Sequence, residues 1–91
     1  MSVKATKQFT VINKLGIHAR PATLFVKVAG KFACDISVEK DGETINGKSI
    51  MGLMMLAAAQ GSQLLITAEG RDAEAALKAL EELFQQKFNE D

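Results

Sequence analysis

FACDISVEKDGETIN, residues 32–46, places Phe32, Cys34, Ile36 and Val38 on one side of an extended chain and Ala33, Asp35, Ser37 and Glu39 on the other. A period of two with one apolar and one wet face describes an antiparallel strand. Asp41-Gly42 then supplies two residues that tolerate positive φ, as a two-residue hairpin requires. The spacing therefore predicts a strand, a tight turn and a short return strand over 44–46.

Upstream the period changes. Ala22, Phe25, Val26 and Ala29 recur at i, i+3, i+4 and i+7, one face of a helix over 20–30 that Gly30 should terminate. Before it, KQFTVIN (7–13) reads as a first strand with Phe9 and Val11 on one face. Downstream, GKSIMGLMMLAAAQG (47–61) reads as a brief helix opened by Ser49 as N-cap and weakened by Gly52. SQLLITAEG (62–70) is a further strand, with Leu64, Ile66 and Ala68 facing one way. The segment 71–88 is a helix that Asp72 should cap, with Ala73, Ala76, Leu77, Leu80, Leu83 and Phe84 inward and Phe88 extending the stripe. Residues 89–91 should fray. The order βαββαβα, with one sheet face wet, predicts an α+β open-faced β-sandwich: a four-stranded antiparallel sheet with three helices on one face. Ninety-one residues fit a single domain over 1–91.

Composition narrows the function. Eleven basic and eleven acidic side chains cancel, and Trp and Tyr are absent; both disfavour a nucleic-acid binder. Cys34 is alone, so neither an intrachain disulfide nor a cysteine zinc site is available. No apolar run reaches the length of a membrane span, and the N-terminus has no signal-peptide core. These features predict a cytoplasmic chain with no membrane insertion, no nucleic-acid partner, no metal and no cofactor.

The chemistry gathers in NKLGIHARPATLFVK (13–27), which holds the one histidine and the one proline of the chain. Gly16 permits an unusual turn, His18 falls just outside the helix, and Pro21 suits a first turn because no intrahelical acceptor is lost there. An imidazole thus stands beside the free N–H groups of a helix start, where anions and phosphate bind. A neutral imidazole keeps a lone pair on one ring nitrogen, which is a nucleophile. Arg20 adds a planar fork of donors matched to phosphate oxygens. Each residue has an ordinary structural reading, but together they describe a histidine that accepts a phosphoryl group.

Gly16-Ile17-His18-Ala19-Arg20-Pro21-Ala22 resembles the phosphorylation-site signature of HPr, the family of histidine-containing phosphocarriers of the bacterial phosphotransferase system. Gly47-Lys48-Ser49-Ile50-Met51-Gly52 resembles the family's second signature. The resemblance implies that His18 takes a phosphoryl group on Nδ1 from phospho-enzyme I and passes it to a histidine of an enzyme IIA. It implies that Arg20 and the backbone of Ala19 and Arg20 cradle the phosphate, and that the chain is a covalent carrier, not a turnover enzyme. Ser49 matches the serine modified by HPr kinase/phosphorylase, a role compatible with N-capping. Ile50, Met51 and Met54 would form an exposed docking patch, and Lys27 and Lys48 a positive rim for acidic partners. A carrier presenting one face to successive partners is expected to be a monomer. Two other readings stand beside this one: a carrier of the nitrogen-related branch, suggested by Ala57-Ala58-Ala59 and the methionine pattern, and an interaction module whose histidine is structural.

Overall fold

The computed structural model describes residues 3–89. Its elements are β1 (Lys4–Thr10), α1 (Ala19–Ala29), β2 (Asp35–Lys40), β3 (Glu43–Asn46), α2 (Ile50–Met55), β4 (Gln63–Glu69) and α3 (Ala73–Gln85), followed by a short turn over Lys87–Asn89. The four strands form one antiparallel sheet in the order β1-β4-β2-β3. Phe9, Ile36, Val38, Leu64, Ile66 and Ala68 line its inner face, and α1 and α3 cover them with Ala22, Phe25, Ala29, Ala76, Leu80 and Phe84. The expected fold class and element order hold.

Phe84 joins the layers. Its ring lies 4.9 Å from Phe9 of β1, 6.3 Å from Phe25 of α1 and 4.9 Å from Phe88 beyond α3. The outer sheet face carries the row Thr6, Thr67, Ser37 and Asn46, paired across all four strands. Among the described residues no helix is long and apolar enough to cross a membrane.

Several boundaries differ from the pattern. β1 begins at Lys4, three residues early, because it pairs with β4 as far as Lys4–Glu69. As an edge strand it turns only Ala5, Lys7 and Phe9 inward, and the Lys7 ammonium pairs with Glu81 of α3, so alternation is faint. The hairpin is as expected, with φ of 52° at Asp41 and 85° at Gly42. Gly30 ends α1 without a left-handed turn: its φ is −67°, and Lys31 and Phe32 continue with tight bonds to Val28 and Ala29. Phe88 reaches the core, but through a left-handed turn (φ 54°, 55° and 60° at Lys87, Phe88 and Asn89) and not along the helix. Asn89 lies in that turn, bonded to the Gln86 carbonyl; the remaining residues expected to fray, 90 and 91, lie outside the described residues.

The largest difference concerns Asp72. It occupies the N-cap position of α3 without capping it. Its carboxylate instead accepts the backbone N–H of Ala33 (2.8 Å) and of Cys34 (2.9 Å). Those two amides are thereby taken from the sheet ladder, which is why β2 starts at Asp35 and not at Phe32. Gly70 allows this approach: a Cβ there would stand 2.7 Å from the Cβ of Cys34. The Ala33 N–H, then the Cys34 thiol and N–H, hold the Asp72 carboxyl below its ordinary range, while burial, then Asp72, pushes the Cys34 thiol up.

A carboxyl that titrates lower in the folded than in the unfolded chain adds stability that is complete above its unfolded pKa, about 3.9. That stability is lost as pH falls through the folded value. Asp72→Asn should therefore lower Tm at pH 7, and the gap to the unmodified chain should close below about pH 4. Thermal melts from neutral to strongly acidic pH check this; a gap that stays constant would remove Asp72 from the acid response.

Candidate functional site

The site grows out of the β1–β4 ladder. Beyond Thr10 and Gln63 the two chains stay tied: the Val11 N–H donates to the Ser62 carbonyl (2.9 Å), and the Gly61 N–H to Val11 (2.8 Å). The Gln60 side-chain amide donates to the Ile12 carbonyl (3.1 Å), and the Ile17 N–H to Ala58 (2.8 Å). Segment 11–17 is thus stitched to segment 58–62, which leaves α2 through a left-handed Ala57 (φ 50°).

Within this bracket the chain turns once more. The Gly16 N–H donates to the Asn13 carbonyl (3.2 Å), and the Gly16 carbonyl accepts both the Asn13 side-chain amide (2.7 Å) and the His18 N–H (3.2 Å). Gly16 has φ of 73°, and a Cβ there would lie 2.9 Å from Ala59 Cα and closer still to the Ala58 oxygen. Both the left-handed backbone and the lack of clearance demand glycine.

His18 is the N-cap residue of α1, extended at φ −95° and ψ −164°, half-buried, and its side chain does not cap the helix. Its carbonyl accepts the Ala22 N–H (3.0 Å). Pro21 has no N–H, so the first-turn donors without an intrahelical acceptor are those of Ala19 and Arg20. Both residues are exposed, and no acidic side chain lies in that turn. The dipole of an eleven-residue helix points its positive end here, and the Arg20 guanidinium stands on the same turn. Together they can hold a tetrahedral anion beside the imidazole.

The second motif lies at the start of α2. Ser49 is its N-cap, with Oγ accepting the Gly52 N–H at 3.0 Å. Asn46 sets up that cap: its Oδ1 accepts the Lys48 N–H (2.8 Å) and its carbonyl the Ser49 N–H (3.1 Å). Ile50, Met51 and Met54 are exposed, Met51 by 74%, and so are Met55, Leu15 and Ile12. The two lysines proposed as a rim have different surroundings. Lys27 lies in the last turn of α1, about 12 Å along the axis from Ala19. The half-buried Lys48 spends its ammonium on the Phe32 carbonyl at 2.7 Å.

Sequence pattern did not single out Asn13, nor the bracing segment 58–62. Periodicity is blind to both, because each acts through backbone carbonyls within loops. Among the described residues no cluster of three or more His, Cys, Asp or Glu could hold a metal ion.

Gly16→Ala should cost about 1–3 kcal/mol through its left-handed φ alone, and the collision with Ala58 must displace the loop. Urea unfolding should register the loss, and amide shifts should be confined to 11–19 and 57–62. Shifts absent from 57–62 would contradict the close approach.

Residues 5–86 match the family model described as the PTS HPr component phosphorylation site. The phosphocarrier protein HPr of Treponema pallidum is 48% identical over 85 residues, covering 93% of this chain and 97% of that protein. The crystal structure of HPr-C-His from Thermoanaerobacter tengcongensis superposes with a TM-score of 0.92 at 48% identity, covering 96% and 98% of the two chains. That of HPr from Bacillus anthracis gives 0.86 at 52%, covering 91% and 99%. The crystal structure of an HPr dimer from Thermoanaerobacter tengcongensis also matches, at 0.77 and 51% over 90% and 94%, so a chain of this fold occurs as a dimer there, against the expectation of a monomer. With both signatures, the strand order and near-complete coverage in agreement, the chain belongs to the HPr family of phosphocarriers.

Proposed function

We propose that His18 is the phosphoryl-accepting residue, through Nδ1, with phospho-enzyme I as donor and an enzyme IIA histidine as acceptor. The observation that carries this reading is the pair of first-turn amides at Ala19 and Arg20, which have no intrahelical acceptor and belong to exposed residues next to the chain's one histidine. In the transfer, the imidazole lone pair forms a P–N bond while the P–N bond to the donor histidine breaks. Such a transition state spreads charge over three equatorial oxygens and offers the protein little covalent work beyond positioning and charge stabilisation. Two backbone donors and a guanidinium fit that demand without a metal. The same mechanism runs in reverse toward the acceptor, so the chain carries the group and does not turn over a substrate. These partners place it in the cytoplasm.

Ser49 is the proposed regulatory position, as a substrate of an HPr kinase/phosphorylase. A phosphoserine at an N-cap adds nearly two negative charges where the α2 dipole favours them, with little change of fold. Ile50, Met51 and Met54 form the proposed docking patch. Of the proposed rim, Lys27 is exposed, whereas Lys48 would have to release the Phe32 carbonyl to join it.

Incubation with enzyme I and phosphoenolpyruvate should give a base-stable, acid-labile label that His18→Ala loses completely; a labelled His18→Ala chain would sink the assignment. Arg20→Ala should keep the label but take it up about a hundred- to a thousandfold more slowly, the cost of one electrostatic donor. Met51→Glu, at an exposed position, should leave Tm unchanged and raise the half-saturating enzyme I concentration about tenfold. Unchanged kinetics at low enzyme I would remove Met51 from the docking surface.

A further inference from the structure

Asn13 is the one polar side chain among the described residues that is buried completely, at 0% exposure. Burying an amide is costly unless its hydrogen bonds are made, and an apolar residue of similar volume would serve packing alone better. Its partner shows what it does there. Asn13 Nδ2 donates to the Gly16 carbonyl at 2.7 Å, and the Asn13 carbonyl accepts the Gly16 N–H at 3.2 Å. Asn13 therefore grips both sides of Gly16. The Gly16 carbonyl in turn accepts the His18 N–H at 3.2 Å, which sets the orientation of the peptide from which the imidazole departs.

We propose that Asn13 is a positioning residue of the transfer site: through the Gly16 carbonyl it fixes the backbone that aims His18 at the anion cradle of Ala19 and Arg20. This rests on the reading of His18 as acceptor. The Ala58 carbonyl accepts the Ile17 N–H (2.8 Å), so Gly16-Ile17 is held both by a buried side chain and by a neighbouring loop. The Asn13 amide is the side-chain half of that clamp. Being buried, it touches neither phosphate nor partner, so its loss should act on the rate of transfer and not on docking.

Asn13→Leu, nearly equal in volume, keeps the packing and removes the donor. The test measures the maximal rate and half-saturating enzyme I concentration of phosphoryl uptake, on chains shown by circular dichroism to be fully folded. Leu77→Ala, a core change on α3, is the destabilised control. NMR of the unphosphorylated protein follows the His18 ring and backbone amide. Asn13→Leu should lower the maximal rate about tenfold, the order expected for a lost orienting hydrogen bond. Half-saturation should not change, and the His18 resonances should shift. Leu77→Ala should lower Tm and leave rate and resonances alone. A normal maximal rate in Asn13→Leu, or an equal loss in Leu77→Ala, overturns the proposal. Should Asn13→Leu not fold, Asn13→Ala carries the same measurement. If the unmodified chain takes no label, the acceptor reading fails by itself, and unshifted His18 resonances in the variant would separately refute the role of Asn13.

Discussion

The close passage of Gly16 over Ala58-Ala59 is the constraint on which the site depends. Two loops leave the same end of the sheet because β1 and β4 are antiparallel neighbours whose ladder ends at Thr10–Gln63. Hydrogen bonds linking Val11, Ile12 and Ile17 with segment 58–62 carry that ladder outward. The last step requires a residue with no Cβ and a left-handed φ, after which the chain can only enter α1 through His18. The position of the imidazole is thus inherited largely from sheet register and from the loop contacts around Gly16.

A mobile loop would do this work poorly. Transfer between two histidines asks for an approach geometry set before the partners meet, since misplacement by an ångström costs rate steeply. The helix is anchored independently: Ala22 and Ala29 are fully buried and Phe25 meets Phe84 edge-on at 6.3 Å. The proposed cradle and the proposed nucleophile are therefore held by two different parts of the molecule, α1 by the core and the preceding loop by 58–62. They meet at His18, the residue common to both.

Most of the architecture was legible in the sequence because it rests on side-chain periodicity. Phe9, Ile36, Val38, Leu64 and Ile66 announce one sheet face, Asp41-Gly42 announces the hairpin, and the stripe from Ala73 to Phe84 announces α3. The proposed chemistry could be read because His18, Arg20 and Pro21 are distinctive types at fixed spacing. What stayed hidden are contacts between residues distant in sequence. Asp72 has the composition of an N-cap, yet two amides 38 and 39 residues upstream compete for its carboxylate and win, shortening β2. Phe88 has helical spacing, but the chain turns left-handed to deliver it. Asn13 looks like a loop residue, and only burial reveals it. Lys48 looks like a free cation, and only the Phe32 carbonyl shows otherwise.

The two proposed modification sites stand at two helix starts, and their backbones are held by different residues among those described. Ser49 is held by Asn46 and Gly52 at the beginning of α2, whereas the His18 loop is braced by residues beyond the end of α2. A phosphate on Ser49 would complement the helix start it already caps, so no bond of the His18 bracket needs to break. The influence on transfer proposed for it would then pass through the surface beside it. There Ile50, Met51 and Met54 lie exposed, and a new double negative charge among them would repel an acidic partner before contact. On this proposal Ser49 would govern which partner docks, while His18 would remain competent for any partner that does.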